Sequence, residues 1–360
     1  MAPAGNMPQG TKALRRALAY LRSYKREAFG AFFALLLVSA ANLVTPQLIA
    51  YAIDTGVTPP GSPRAILLAV VGLIAVALAR GLFQFLQGYL AERASQGVAY
   101  DLRNTLFEKI ERLGFAYYDR VETGQLVTRL TSDVEQIRSF AGSGVVQLAS
   151  AAVMLVGTTV LLLVLDWRLA LIALATVPAI FVLLLQFVRK IGPLFRGVQQ
   201  TLGRLNTVLQ EDLAGVRTIR TYGREDFETA RYRVVNEDLL RRNLETVYTF
   251  SNNFPFIFLL ANVGTLLIVL FGGLQVIGGR LLVGELIAFN TYLGFLLFPI
   301  LTIGFLAAQI SRAGASAQRV FEILDAPVEV QDAPDAVPLP PIRCRVEFDD
   351  VRFRYPGSEK

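Results

Sequence analysis

The chain has 360 residues, 53% of them hydrophobic and 18% charged, with a formal net charge of +6 and a mean hydropathy of +0.47. That charged fraction is well below the level usual in soluble domains. With one cysteine (Cys344) and no histidine, the sequence offers no intrachain disulfide, no cysteine or imidazole metal site and no histidine acid–base chemistry, and neither a metal nor a nucleic-acid partner is expected.

Six windows carry the apolar bias: 28–53, 65–91, 139–165, 169–188, 249–277 and 281–311. Each reaches the roughly 20 apolar residues that cross a hydrocarbon core of about 30 Å. Arg80 is the one charge in the second and Glu285 the one charge in the sixth. Six buried helices without a polar face are hard to reconcile with a soluble core, so an all-α membrane protein with six spans is expected.

Ahead of the first window, residues 1–10 are polar and contain Pro and Gly. Residues 1–27 read as an N-terminal segment bearing Lys12, Arg15, Arg16, Arg22, Lys25 and Arg26. Leu14, Leu18 and Leu21 fall on one helical face within it, a pattern that predicts an amphipathic helix on the inner membrane surface. The run from Ala28 is too long for the apolar part of a cleaved signal, which favours an uncleaved first span.

Basic residues set the orientation. The 1–2, 3–4 and 5–6 connections hold one arginine each (Arg64, Arg168, Arg280), against six at the N-terminus, seven over 93–138 and eleven over 189–242. The positive-inside rule therefore predicts a multi-pass protein of the plasma membrane with both termini and both long connections in the cytoplasm.

Those connections, 92–138 and 189–245, are rich in helix formers and poor in Pro and Gly. Each is expected to be a spanning helix that runs on beyond the membrane, turns, and runs back. The first turn, 114–124, sets Phe115, Tyr117 and Tyr118 beside Asp119, Arg120 and Glu122; the second, 215–226, holds Tyr222, Gly223, Arg224 and Glu225. Aromatics on a short charged segment suit docking to another domain.

Polar groups inside spans are costly in lipid and face a cavity or another helix. Asn42, Gln47, Gln87, Gln147, Gln186 and Gln275 are such groups, read first as contacts between helices. Arg80, Gln84, Asn253, Asn262, Asn290 and Tyr292 are assigned to a substrate path, with Phe295 adding aromatic surface for an amphipathic cargo. Arg80 lies roughly 22 Å in from residue 65, where it either snorkels to the nearer interface or meets an anionic headgroup.

The motifs Tyr118-Asp119, Thr123-Gly124, Leu126, Arg129-Leu130 and Asp133-Val134 resemble the first intracellular loop of ATP-binding cassette (ABC) exporters. Glu211, Gly215, Thr218-Ile219, Tyr222 and Glu225 resemble the second; Ser316-Ala317, Arg319-Val320-Phe321 and Ile323-Leu324-Asp325 resemble the exit from the sixth helix. The stretch 346–357, VEFDDVRFRYPG, is similar to the first strands of the family's nucleotide-binding domain. Gly114 stands where the family often has proline, and Tyr118 and Tyr222 where phenylalanine is common.

The resemblance implies the membrane half of an exporter for hydrophobic or amphipathic substrates (drug, lipid or peptide). It implies a dimer with an identical or different half-transporter and alternating access driven by ATP and Mg²⁺ at nucleotide-binding domains. Residues 114–124 and 215–226 become the coupling segments, and Tyr355 the residue that stacks on adenine. The alternative is a secondary transporter or channel without a motor, which predicts intramembrane acids or broken helices.

After the six-span region, 28–325, five prolines (327, 334, 338, 340 and 341) mark 326–342 as an extended linker. Over 343–360, Val346, Phe348, Val351, Phe353 and Tyr355 alternate as in a strand. The sequence has no G-x-x-x-x-G-K-[ST] phosphate loop and no acid placed to hold Mg²⁺ beside one. The chain is thus expected to stop at the start of a nucleotide-binding domain, to carry no catalytic residue, and not to bind ATP tightly by itself.

Overall fold

The structure is a computed structural model that describes residues 9–119, 121–328, 335–338 and 347–352. It is built of helices. α1 (Gln9–Ala19) passes through a tight helical turn at Tyr20–Tyr24 into α2 (Lys25–Tyr51), whose end widens over Ala52–Val57. Thr58-Pro59-Pro60-Gly61 then stops it: two prolines supply no amide donors, and Gly61 takes φ +56°. Pro63, at the first position of α3 (Pro63–Glu111), has the backbone angle a helix start needs.

α4 (Phe115–Tyr118) is a single turn beyond Gly114. The chain returns through α5 (Thr123–Thr128), α6 (Val134–Ser139) and α7 (Val145–Leu165), joined by wider helical turns at Arg129–Asp133 and Phe140–Gly144. The Asp166 carboxylate accepts from the Leu169 amide at 2.7 Å and caps α8 (Trp167–Ala214). α9 (Val216–Thr221) leads to α10 (Glu225–Ile277), which ends at Gly278-Gly279, and α11 (Val283–Leu324) follows.

Helical runs over 10–57, 63–111, 123–165, 167–214 and 225–277 are long and apolar enough to cross a membrane, and α11 begins with a sixth apolar stretch, Val283–Leu296. The chain is a multi-pass membrane protein. α3 has 49 residues, a rise of about 74 Å and more than twice a hydrocarbon core. Long helices therefore continue well past their apolar parts, as the sequence predicts, and form two hairpins with α4 and α9 at their turns.

Two compact units divide the chain: the described parts of 1–32, 87–146 and 308–360, and those of 33–86 and 147–307. In the first, α1, the charged half of α3, α5, α6 and the end of α11 bury Ala17, Val98, Leu102, Leu106, Val134, Ile137, Val320 and Ile323. Leu14 is buried in the same core, and Leu18 and Leu21 pack on it. Salt bridges Glu27–Arg93, Glu92–Arg138 and Arg103–Glu135 tie its helices together outside that core.

In the second unit, Leu162, Leu169, Ala173, Ile268, Phe289 and Tyr292 form one core. Ile180, Leu184, Phe187, Ile257 and Ala261 form another between α8 and α10, where Phe187 meets Phe250 and Phe254 edge-on at 4.9 and 5.3 Å. Lipid is as apolar as leucine, so helices in a bilayer associate through close packing and small residues. At Gly272 an added Cβ would lie 2.5 Å from Leu286 Cδ1.

Residues 347–352 are described and form no strand; Phe348 and Val351 are exposed. A strand needs a neighbouring strand for its amides and carbonyls, and there is none among the described residues. Val346, Phe353, Tyr355 and most of the 326–342 linker lie outside the described residues, as does Arg120.

Candidate functional site

The first turn is a compact knuckle. The Tyr118 hydroxyl donates at 2.7 Å to the Ile110 carbonyl, which also accepts from the Leu113 amide at 3.0 Å where α3 ends. Tyr117 packs against the core of its unit and meets Tyr118 edge-on at 6.3 Å. These contacts leave Tyr118 38% exposed and Phe115 90% exposed. Asp119 is exposed beside them. Phe115 is the most exposed aromatic of this turn, yet spacing alone gave no reason to rank it above its tyrosine neighbours.

At the second turn Gly223 takes φ +61°, a conformation that only glycine adopts without strain. This reversal leaves Tyr222 76% exposed. Arg224 lies over the ring of exposed Phe227, 5.1 Å from its centroid, and Glu225 opens α10. The ends of α8, α9 and α10 enclose a groove of about 370 Å³ lined by Leu213, Val216, Ile219, Tyr232 and the acids Asp212, Glu225 and Glu228. Loss of hydration and the neighbouring Glu228 raise the Asp212 carboxyl above its ordinary range.

Among the apolar helices, Arg80, Asn42, Gln147, Ser150, Phe295 and Thr302 line a cavity of about 420 Å³. Pro46 and Pro299 lie inside α2 and α11. Each removes the amide that would bond the carbonyl four residues earlier. Those carbonyls belong to Asn42 and Phe295, and both residues line the cavity. Arg80 and Gln84 also line an adjoining recess between α2 and α3.

The structure thus brings Arg80, Gln84 and Phe295 together and leaves the other path candidates elsewhere. Tyr292 is fully buried, and its hydroxyl donates to the Leu43 carbonyl at 2.5 Å, joining α11 to α2. Asn253 donates to the Thr249 carbonyl in its own helix at 2.7 Å. Asn262 and Asn290 are exposed. Asn42 and Gln147 join the cavity, and their polarity inside apolar windows was the available signal.

Sequence reasoning missed two long-range ion pairs at the end of α11. Arg319 donates through Nε and Nη2 to the two carboxylate oxygens of buried Asp133, at 2.9 and 2.5 Å. Arg16 donates to both oxygens of Asp325 at 2.5 and 2.8 Å, and its guanidinium sits 4.1 Å from the Phe321 ring centroid. The hydrogen bond from Arg16 holds the Asp325 carboxyl below the usual carboxylate range. Asp133, Arg319 and Asp325 all stand in the motifs quoted above, whereas Arg16 appeared only as one of six basic residues.

Comparison with known proteins agrees with the pattern of long apolar helices. YknU of Bacillus subtilis (strain 168), called an uncharacterized ABC transporter ATP-binding protein, is 30% identical over 349 residues, covering 97% of this chain and 59% of the relative. The ATP-dependent lipid A-core flippases of Syntrophus aciditrophicus and Aromatoleum aromaticum are 30% and 31% identical, covering 79% and 80% of this chain and 47% of each relative. The chain thus spans about three-fifths or less of the length of these relatives. Residues 28–300 match the family described as the ABC transporter transmembrane region. The chain belongs to that family.

Proposed function

We propose that this chain is the membrane-spanning half of an ATP-driven exporter, with both hairpins in the cytoplasm. Nucleotide-binding domains dock on the turns at 114–124 and 215–226, and ATP and Mg²⁺ act on those domains. Their closure tilts the hairpins and switches the helices of a dimer between inward- and outward-open states. The observation that carries this reading is the exposure of Phe115 and Tyr222 at the tips of two charged hairpins, within a chain of this family. Exposed aromatics at a tip are the anchors that small docking interfaces use.

In the protein joined to its nucleotide-binding domains, Phe115→Ala and Tyr118→Ala should each remove a contact worth about 2 kcal/mol or more. Such variants should insert and dimerise, hydrolyse ATP, and lose transport. Transport and hydrolysis measured in the same proteoliposomes decide it. Wild-type transport by both variants means the first turn is not a docking point.

The cargo we infer is an amphiphile with an anionic headgroup. Arg80 puts a fixed positive charge in the cavity, beside hydrogen-bonding Asn42 and Gln147. Two relatives carry the name lipid A-core flippase, which supports a lipid-like cargo here. Arg80→Gln should weaken stimulation of ATP hydrolysis by an anionic lipid and spare the basal rate. Superimposed stimulation curves would leave Arg80 as a charge that only reaches for the interface.

A further inference from the structure

The two-point ion pair at the end of α11 joins parts of the chain 186 residues apart. Asp133 closes the wider turn at Arg129–Asp133, on the helix that returns from the 114–124 turn. Arg319 lies near the end of α11, and its Nη2 also donates to the buried Ser316 hydroxyl at 3.1 Å. The Asp133 side chain is 5% exposed, whereas that of Arg319 is 46% exposed. Apolar residues are already in place around the pair, with Val134 and Ile137 packed in one core with Ala317 and Val320.

Adhesion alone gives no reason for this arrangement. An apolar pair of similar volume holds two helices as well as a buried ion pair does, or better. What the planar guanidinium adds is geometry: two parallel bonds fix rotation and register together, where packing alone lets helices slide or roll. The pair from Arg16 to Asp325 grips the same helix end from another side.

We propose that Asp133 and Arg319 are positioning residues that lock the end of α11 to the helix returning from the 114–124 turn, so that turn and helix end move as one body. The purpose of such a lock rests on the docking reading above, because α11 leads on towards the linker while the turn is a docking point. Its geometry does not depend on that reading.

The test uses the full 360-residue chain in lipid nanodiscs, with Cys344→Ser and spin labels on Glu122→Cys and Glu322→Cys. Both label positions are exposed. Pulsed electron resonance should give one narrow distance distribution. The neutral pair Asp133→Asn with Arg319→Gln leaves no uncompensated buried charge and should fold. Arg319→Lys keeps the charge but loses the fork. The distribution should widen at least about twofold in the neutral pair and measurably in the lysine variant.

Wild-type width in either variant overturns the proposal. Unfolding temperature, recorded on the same samples, is what a merely space-filling pair would move without touching the width. A widened distribution alongside normal transport by Phe115→Ala and Tyr118→Ala would overturn the docking reading and leave the lock standing.

Discussion

Arg16 lies in a segment whose basic charge suggested a membrane surface, yet its guanidinium is engaged with Asp325 and the Phe321 ring. Both side chains of the pair are more than half exposed, so its contribution to stability is about 0.2–1 kcal/mol. The folded Asp325 carboxyl titrates below its unfolded value of about 3.9 because Arg16 bonds to the charged form. That contribution is therefore fully present above about pH 4 and fades as pH falls through the lower, folded value. Arg16→Gln should lower the unfolding temperature at pH 7, and its gap from wild type should shrink towards zero near pH 2. An equal gap at both pH values would mean that packing on Phe321, not charge, is what Arg16 supplies. Residue identities such as Asp133, Arg319 and Asp325 stood out in the sequence, but their partners did not. Pairing across 186 or 309 residues is decided by how helices pack, and no local pattern records it. Tyr118 shows the same limit: its hydroxyl is committed to Ile110, a bond invisible in spacing.

Helices were the most legible level, since apolar runs and the charged stretches that follow them set where each begins and how far it extends. The junction of α2 and α11 was less so. The Gly284 amide donates to Asp54 Oδ1 at 2.6 Å, and Glu285 accepts from the Leu282 amide at 2.9 Å, so two acids cap the start of α11. An added Cβ at Gly284 would lie 2.3 Å from the Ala50 carbonyl oxygen and 2.5 Å from Asp54 Oδ2. Backbone cannot step aside as a flexible side chain can, so Gly284→Ala should destabilise the chain by about 1–3 kcal/mol. Thermal unfolding in detergent checks this; an unchanged midpoint would show that the two helices separate freely. Glu285 had been notable in the sequence as the one acid in its window, and its role here is that of a cap. The strand expected after the linker is a different case, since Val346, Phe353 and Tyr355 lie outside the described residues and 347–352 alone forms no strand. Alternation marks which side chains share a face, but a strand exists only with a neighbour to bond.

At the scale of the molecule, the basic loops predict which side each turn occupies, and chemical labelling can test it. In a Cys344→Ser background, single cysteines at Gly61, Asp166 and Gly279 should react with an impermeant reagent added outside intact cells. Cysteines at Asp119 and Arg224 should react only after permeabilisation. Labelling of Arg224→Cys from outside would reverse the orientation and remove the docking reading with it. Composition sufficed for the membrane class, and the motifs for the family, while the cavity emerged only when Asn42, Arg80, Gln147 and Phe295 came together from separate helices.

That cavity has a property beyond its shape. Pro46 and Pro299 leave the carbonyls of Asn42 and Phe295 without their usual helical amides, and both residues line a space of about 420 Å³. A carbonyl with no donor is expensive in hydrocarbon, several kcal/mol by common reckoning. With Arg80 alongside, such a space favours a polar occupant over hydrocarbon alone. Met154, Phe295 and Pro299 give the same space apolar walls, so the amphiphile proposed above would find partners there for both halves of its chemistry: negative charge and hydrogen-bond donors at one end, hydrocarbon at the other.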